Sequence, residues 1–388
     1  MRYTAISLHE NYEYICPFRE ERAVVYSTGR EMLNFIDPNG RTILPEWYPH
    51  RKYITERHFT TDFAEGLIAL PGEGGKFGYL DRDGNMALPF IYEKARSFID
   101  GLACVKTDGK YGLIDKTGSF AVPPEYDMLG FGGFNVQFFE DKLFACKDGK
   151  GGFINRAGET VIPFDLDVPT LRTDEPILLP EFGDGLVPVR RGGRAIFIDT
   201  QGNEVLPVPD GSTGAGGFFD GLTFISFHGI GDEYHCRIMR RDGSWLLPPE
   251  YNAVGLYRCG RIQVVRDGKI LFIDKDGNVV IDGEYTHAHD FFHGRAWVQK
   301  NGRWGAIDTQ GHVVVPIEMT YDSVSPSACI NGISIRTGDR YGFADADGQV
   351  VIPPEYEERI SWYGKYAVTK KNGQWVILHL TEPEEKTE

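Results

Sequence analysis

Nine glycines recur along the chain: Gly40, Gly84, Gly118, Gly158, Gly202, Gly243, Gly277, Gly311 and Gly348. Three positions before them stand Asp37, Asp81, Asp115, Asp199, Asp274, Asp308 and Asp345, with Asn155 and Arg240 as the two replacements. The spacing D-x-x-G has a mechanical reading. An aspartate at the first turn position accepts a hydrogen bond from its own backbone two residues on, and the glycine takes the left-handed conformation that closes a type I turn with a bulge. Each recurrence therefore marks a β-hairpin, and stretches such as DGKYGLIDKTG (108–118) and NGRWGAIDTQG (301–311) are the same hairpin written twice.

The flanks agree. An apolar strand precedes the turn, as in YGLI (111–114), and another follows it, as in HVVVP (312–316). Five residues past the glycine comes a proline, Pro45, Pro89, Pro123, Pro163, Pro207, Pro248, Pro316 or Pro353, with Asp282 as the exception. Proline cannot donate to a sheet ladder, so it is expected to end the strand. Glu-Tyr often follows, at Glu125-Tyr126, Glu250-Tyr251, Glu284-Tyr285 and Glu355-Tyr356. After a linker an F-x-[DE]-G opener starts the next unit, at Phe63, Phe98, Phe182 and Phe218. One unit is thus an opener, three short strands and two turns. Nine turns and a partial closing unit, KYAVTKKNGQWVILHL (365–380), predict an all-β tandem array of about nine to ten three-stranded repeats over 1–380, irregular in 1–245 and regular in 246–380. A unit this small buries its apolar face only against neighbours. The polar end, 381–388, is expected to be a disordered acidic tail.

The aromatic-glycine pairs Phe77-Gly78, Tyr111-Gly112, Trp304-Gly305 and Tyr341-Gly342, followed by I/L-D-x-x-G and V-V-x-P, resemble the WG (or KWG) repeat of bacterial proteins. The resemblance covers nearly the whole chain. It implies an all-β repeat scaffold and implies little about activity. Asn34, Ile196, Arg237 and Leu271 depart from it by replacing the glycine of the pair. Ten units exceed the usual four to eight blades of a propeller, so an open curved, solenoid-like array is expected. A closed, propeller-like ring is the alternative, with RYTAISL (2–8) as the spare strand that would complete the last unit.

Composition narrows the functions. The 388 residues carry a net charge of −15, so a nucleic-acid partner is not expected and a basic protein is. No apolar run is long enough to span a membrane, no leader pattern opens the chain, and six scattered cysteines form no framework, which together predict a cytoplasmic protein. On a repeat scaffold, specificity is expected where the repeat is interrupted. Insertions enter between Pro45 and Phe63, around 131–135, between Pro163 and Phe182, and within 227–236. The first carries Trp47, Tyr48, Arg51 and Tyr53, residue types that dominate protein-binding hot spots. The third region supplies Asp165, Asp167, Asp174 and Glu175, suited to a basic partner. These eight are the candidate partner-binding residues, although Trp47 also occupies a packing position of its unit.

Catalytic signals are weak. His287, His289 and His293 lie in a regular unit without neighbouring cysteines or carboxylates, so they are expected to be surface or packing residues rather than metal ligands. GEGGKFG (72–78) lacks the ending and the helix of a phosphate loop and fills the slot of a hairpin turn. The Glu125, Glu250, Glu284 and Glu355 series is expected to form a solvent-facing ladder, with glycoside chemistry as a remote alternative. No catalyst, metal or cofactor is expected. The reading is a protein-binding scaffold, expected in an immunity- or antitoxin-like role toward a basic partner, with a carbohydrate- or envelope-binding module as the alternative and a glycoside-type hydrolase behind it.

Overall fold

A computed structural model describes the chain except residues 1, 9, 50–61, 73, 131–135, 169–176, 229–233, 328 and 382–388. The described residues form ten small sheets, eight of four strands and two of three. They fall into two compact units, one of Met1–Thr55 with Val254–Glu388 and one of Glu56–Ala253.

A regular repeat is a meander. Lys94–Ala95, Ala103–Thr107, Lys110–Ile114 and Phe120–Tyr126 lie side by side in that order, all neighbours antiparallel. The predicted three strands are present, and a two-residue strand ahead of the opener adds a fourth. All nine turn glycines have positive φ, between 78° and 91°. In the turn at Asp115, one carboxylate oxygen accepts from the N–H of Thr117 at 2.8 Å and of Ser119 at 3.1 Å. Asn155 makes the same pair of bonds with its side-chain oxygen, which is why it can replace the acid. The opener is itself a tight turn with two left-handed residues: Asp100 has φ 51° and Gly101 φ 81°, and Ile99 bridges Leu102. The DG of KTDGKY repeats that form at Asp108 and Gly109, as expected for a two-residue hairpin.

Pro207 ends its strand, Glu204–Pro207, as expected, but five other prolines do not. Pro89, Pro123, Pro163, Pro316 and Pro353 lie inside Met86–Tyr92, Phe120–Tyr126, Thr160–Leu166, Val313–Met319 and Val350–Tyr356. Each of these is the outer strand of its sheet, and each shows a register shift against its neighbour. On an outer strand or at a bulge, a missing N–H breaks no ladder bond.

The bulge explains the glycine of the aromatic-glycine pair. A Cβ on Gly112 would meet the Val122 carbonyl at 2.7 Å and Pro124 N at 2.9 Å. Gly78, Gly305 and Gly342 face the carbonyls of Leu88, Val315 and Ile352 in the same way, each the residue before a proline. The departures have local solutions. Buried Asn34 turns its side chain onto Leu44, the residue before Pro45, accepting from its N–H at 3.0 Å and donating to its carbonyl at 3.1 Å. Where Leu271 replaces the glycine, the facing strand Val279–Tyr285 carries Asp282-Gly283 instead of proline.

The core runs from repeat to repeat. Phe98 of an opener lies 5.0 Å from Tyr79 in the middle strand of the preceding repeat. Phe182 meets Phe153, Phe218 meets Phe197 and Phe291 meets Phe272 at 5.1–5.2 Å, all edge to face. These rings are buried, and such pairs contribute about 0.5–1.5 kcal/mol each beyond area burial. Carboxylates add a second link. Glu65 accepts from Gly101 N–H at 3.1 Å, Glu140 from Gly185 at 2.9 Å and Asp184 from Gly221 at 2.6 Å, each reaching the next opener. Asp127, Asp322 and Glu357 likewise cap the hairpin glycines Gly149, Gly338 and Gly373.

The terminal strands favour the closed, propeller-like alternative over the open curved array. Arg2–Ser7 pairs antiparallel with Gln374–Thr381, from Arg2 opposite Thr381 to Ser7 opposite Val376, and becomes the outer strand of the last sheet. The first and last strands of the chain share one sheet, the strand exchange that the propeller-like alternative requires.

Candidate interaction surface

Trp47 and Tyr48 stand at the start of the first insertion. Trp47 is half-buried and packs on a core cluster that includes Leu8, Tyr12, Trp375 and Ile377. Its ring lies 6.1 Å from that of Tyr12. The Trp375 indole N–H donates to the Tyr12 carbonyl at 2.8 Å, and Tyr14 meets Trp375 edge to face at 6.1 Å. Burial, with Glu10 beside it, raises the Tyr12 phenol far above its ordinary value, so it stays neutral. Tyr48 is half-buried in the short strand Tyr48–Pro49, opposite Leu33. Thus Trp47 anchors the root of the insertion and Tyr48 leads into it. Arg51 and Tyr53 lie outside the described residues, as do Asp174 and Glu175.

Asp165 and Asp167 are held by the repeat that follows them. Asp165 is exposed and ion-paired with Arg191 at 3.2 Å. Asp167 accepts from Gly193 N–H at 2.7 Å and sits 3.7 Å from Lys150. Trp47 and Tyr48 belong to one compact unit, and Asp165 and Asp167 to the other.

Beyond residue 176 the pattern shifts in a way the sequence did not announce. Ile177–Leu178 stands where its own repeat should have its two-residue strand, yet it pairs parallel with Ser212–Ala215 of the following sheet. Glycines permit the approach: a Cβ on Gly217 would meet the Glu181 carbonyl at 2.5 Å, and one on Gly183 would overlap the Phe218 carbonyl. Ile177 and Leu179 remain exposed, and burial raises the carboxyl of Glu181. The signal was the run TGAGGFF, whose adjacent glycines mark close backbone approach.

The other chemistry-bearing residues are engaged separately. His287 Nδ1 lies 2.9 Å from the Gln299 side-chain oxygen, and His289 Nε2 lies 2.9 Å from the Val324 carbonyl while the ring stacks on Trp304 at 5.7 Å. Burial lowers the His289 value despite the bond to Val324. His293 takes the left-handed place in an opener turn. No group of three His, Cys, Asp or Glu among the described residues could hold a metal ion. Glu125, Glu284 and Glu355 pair with Lys147, Lys300 and Lys371 of the next sheet at 3.0, 3.7 and 2.6 Å, a ladder of ion pairs at the surface. The strands Leu67–Pro71 and Phe77–Asp81 pair antiparallel as a hairpin, with Pro71 opposite Phe77. Burial pushes the thiols of Cys104 and Cys146 up to about 12, which makes them inert core residues.

Small antiparallel meanders joined by such turns define an all-β repeat scaffold. The chain belongs to the family of the WG containing repeat, whose model matches residues 77–111, 111–150, 238–269, 272–304, 304–329 and 341–375. No curated protein matches the sequence. Among solved structures the chain is similar to a eukaryotic initiation factor, at 13% identity and TM-score 0.45, covering 81% of this chain and 93% of that one. It is also similar to AztD from Citrobacter koseri, at 11% identity and TM-score 0.34, covering 91% and 96%. A streptogramin B lyase is similar at 14% identity and TM-score 0.28, covering 76% and 93%.

Proposed function

We propose that this WG-repeat chain is a non-enzymatic, cytoplasmic scaffold that binds another protein through the insertions that interrupt its first half. The observation that carries the reading is the root of the first insertion. Trp47 is fixed against Tyr12 and the Trp375 cluster, and it stands at the start of the insertion whose sequence holds Tyr48, Arg51 and Tyr53. A rigid base lowers the ordering cost of a binding segment. The repeats, in contrast, use their turn aspartates and their Glu-Lys ladder on their own backbone and side chains. A net charge of −15 favours a basic partner, and an immunity- or antitoxin-like inhibitor is the concrete form of this proposal.

The test is an affinity capture from the native cell at low and high salt, with the full chain as bait and a Tyr48→Ala, Arg51→Ala, Tyr53→Ala variant beside it. A basic protein retained at low salt, released at high salt and lost in the variant is the expected result. Equal capture by the variant would move the site away from the first insertion, and no salt-sensitive partner would sink the reading.

A further inference from the structure

An outer strand offers unpaired N–H and C=O groups to any second strand, and folded proteins blunt such edges with prolines, bulges, charges or cover. The outer strands here are treated in that way. Met86–Tyr92, Phe120–Tyr126, Thr160–Leu166, Val313–Met319 and Val350–Tyr356 each carry proline and a bulge. Glu204–Pro207 and Tyr48–Pro49 end in proline. Val279–Tyr285 has no proline, but it has a bulge, a left-handed Glu284 and the charges of Asp282 and Glu284. Tyr234–Arg240 is regular, yet its free side is met by Trp245, by Leu246 N–H on the Ile238 carbonyl and by Asn252 on Cys236 N–H.

Arg2–Ser7 differs from all of these. It has no proline, its six residues pair in unbroken register, and its centre, Thr4-Ala5, is exposed and uncharged. Its free side follows from one bond. Leu8 N–H donates to the Trp375 carbonyl at 2.9 Å. Antiparallel ladders alternate, so Ile6 and Thr4 also face the strand Gln374–Thr381, and the N–H and C=O of Tyr3, Ala5 and Ser7 point away from it.

We infer that Arg2–Ser7 is a dimerisation edge, and that its occupant is the same strand of a second copy of this chain, paired antiparallel about a two-fold axis at Ala5. That register sets Ala5 opposite its own copy and Tyr3 opposite Ser7, so every outward backbone group meets a partner. The neighbouring pair, Thr4 with Ile6, sets no like charges together. Self-pairing of Val279–Tyr285 about Gly283 would instead set Asp282 opposite Glu284 of the copy. A self-complementary patch is what a two-fold interface needs.

Sedimentation velocity at micromolar concentration tests this with the full chain, Ala5→Pro and Ala5→Lys. Proline at Ala5 removes an outward N–H and no inward bond, and lysine there would meet its own copy. The expected result is a wild-type species of twice the chain mass and monomers for both variants, with unchanged far-UV circular dichroism. If Ala5→Pro fails to fold, Ala5→Lys decides alone. A monomeric wild type, including one that pairs its edge only with some other protein, overturns the inference. So does a dimer that persists in Ala5→Lys.

Discussion

Gly112 lies so close to the carbonyl of Val122 that a methyl group on it would sit 2.7 Å from that oxygen. The contact joins two features that the sequence shows separately, the aromatic-glycine pair and the proline that follows the next turn. Gly112→Ala is expected to destabilise the chain by about 1–3 kcal/mol through overpacking, because the bulge over it is backbone and cannot swing aside. Gly342→Ala should behave alike, with a Cβ 2.5 Å from the Ile352 carbonyl. Urea unfolding of both variants checks this, and wild-type midpoints would remove the explanation of the pair.

Gly118 carries two constraints. Its φ is 83°, and a Cβ would stand 3.2 Å from Leu88 of the preceding sheet. Gly118→Val should cost about 2–3 kcal/mol, combining left-handed strain for a β-branched residue with crowding between sheets. A thermal scan beside Gly109→Ala separates the two effects, since nothing lies within 4 Å of a Cβ at Gly109.

The turn aspartates predict a direction in pH. Burial alone would raise Asp81, Asp199 and Asp274, but the side chains of Asn85, Asn203 and Asn278 and the turn amides outweigh it and lower all three. A carboxylate lowered in the folded state stabilises above its ordinary value of about 4, and that stability is lost as pH falls through the folded-state value. Melting temperature should therefore drop below about pH 4, and less so in the Asp81→Asn, Asp199→Asn, Asp274→Asn variant. Asn155 shows that the amide keeps the turn. Parallel pH profiles for variant and wild type would contradict this.

His289 should titrate below an ordinary histidine, because burial against Trp304 disfavours its charged form. Its contribution is full above about pH 6.5 and declines as pH falls through the lowered value. The ring proton shifts of His289 in an NMR titration measure it directly, and a midpoint at or above about 6.5 would contradict it.

Leu8 is 6% exposed and lies in the cluster that the terminal strand exchange completes. Leu8→Ala should cost about 2–4 kcal/mol, comparable with a core leucine elsewhere, despite its place in the first ten residues. A loss below about 0.5 kcal/mol in equilibrium unfolding would mean that the N-terminal strand is dispensable.

The repeat was legible because its turns are chemical: Asp115 and Gly118 can be named from what their backbone must do. Other features left no local trace. Lys94–Ala95 is too short to show a period. Pro123 looks like a stop because its role depends on lying at the outside of a sheet, which is a tertiary fact. RYTAISL was visible as a spare strand and the closed ring as an alternative, but the preference for an open array rested on the usual number of blades, and the pairing of Ser7 with Val376 favours the alternative. Of the candidate binding residues, Trp47 and Tyr48 rest on or beside the core, Asp165 and Asp167 answer Arg191 and Gly193, and Arg51, Tyr53, Asp174 and Glu175 fall outside the described residues. Acidity was legible as a sum, but its distribution between turns and surface was not.

The carboxylates that reach forward, Glu65 to Gly101, Glu140 to Gly185 and Asp184 to Gly221, make three repeats readers of the one before them. The heritable module is therefore the span from one acid to the next answering amide, and its borders cut through the middle of the visible sheets. A gene duplication or an engineered deletion that respects the sheets but not those spans would leave acids without amides at the splice. A change of length among these repeats keeps its acid-to-amide bonds when the break falls in step with that correspondence.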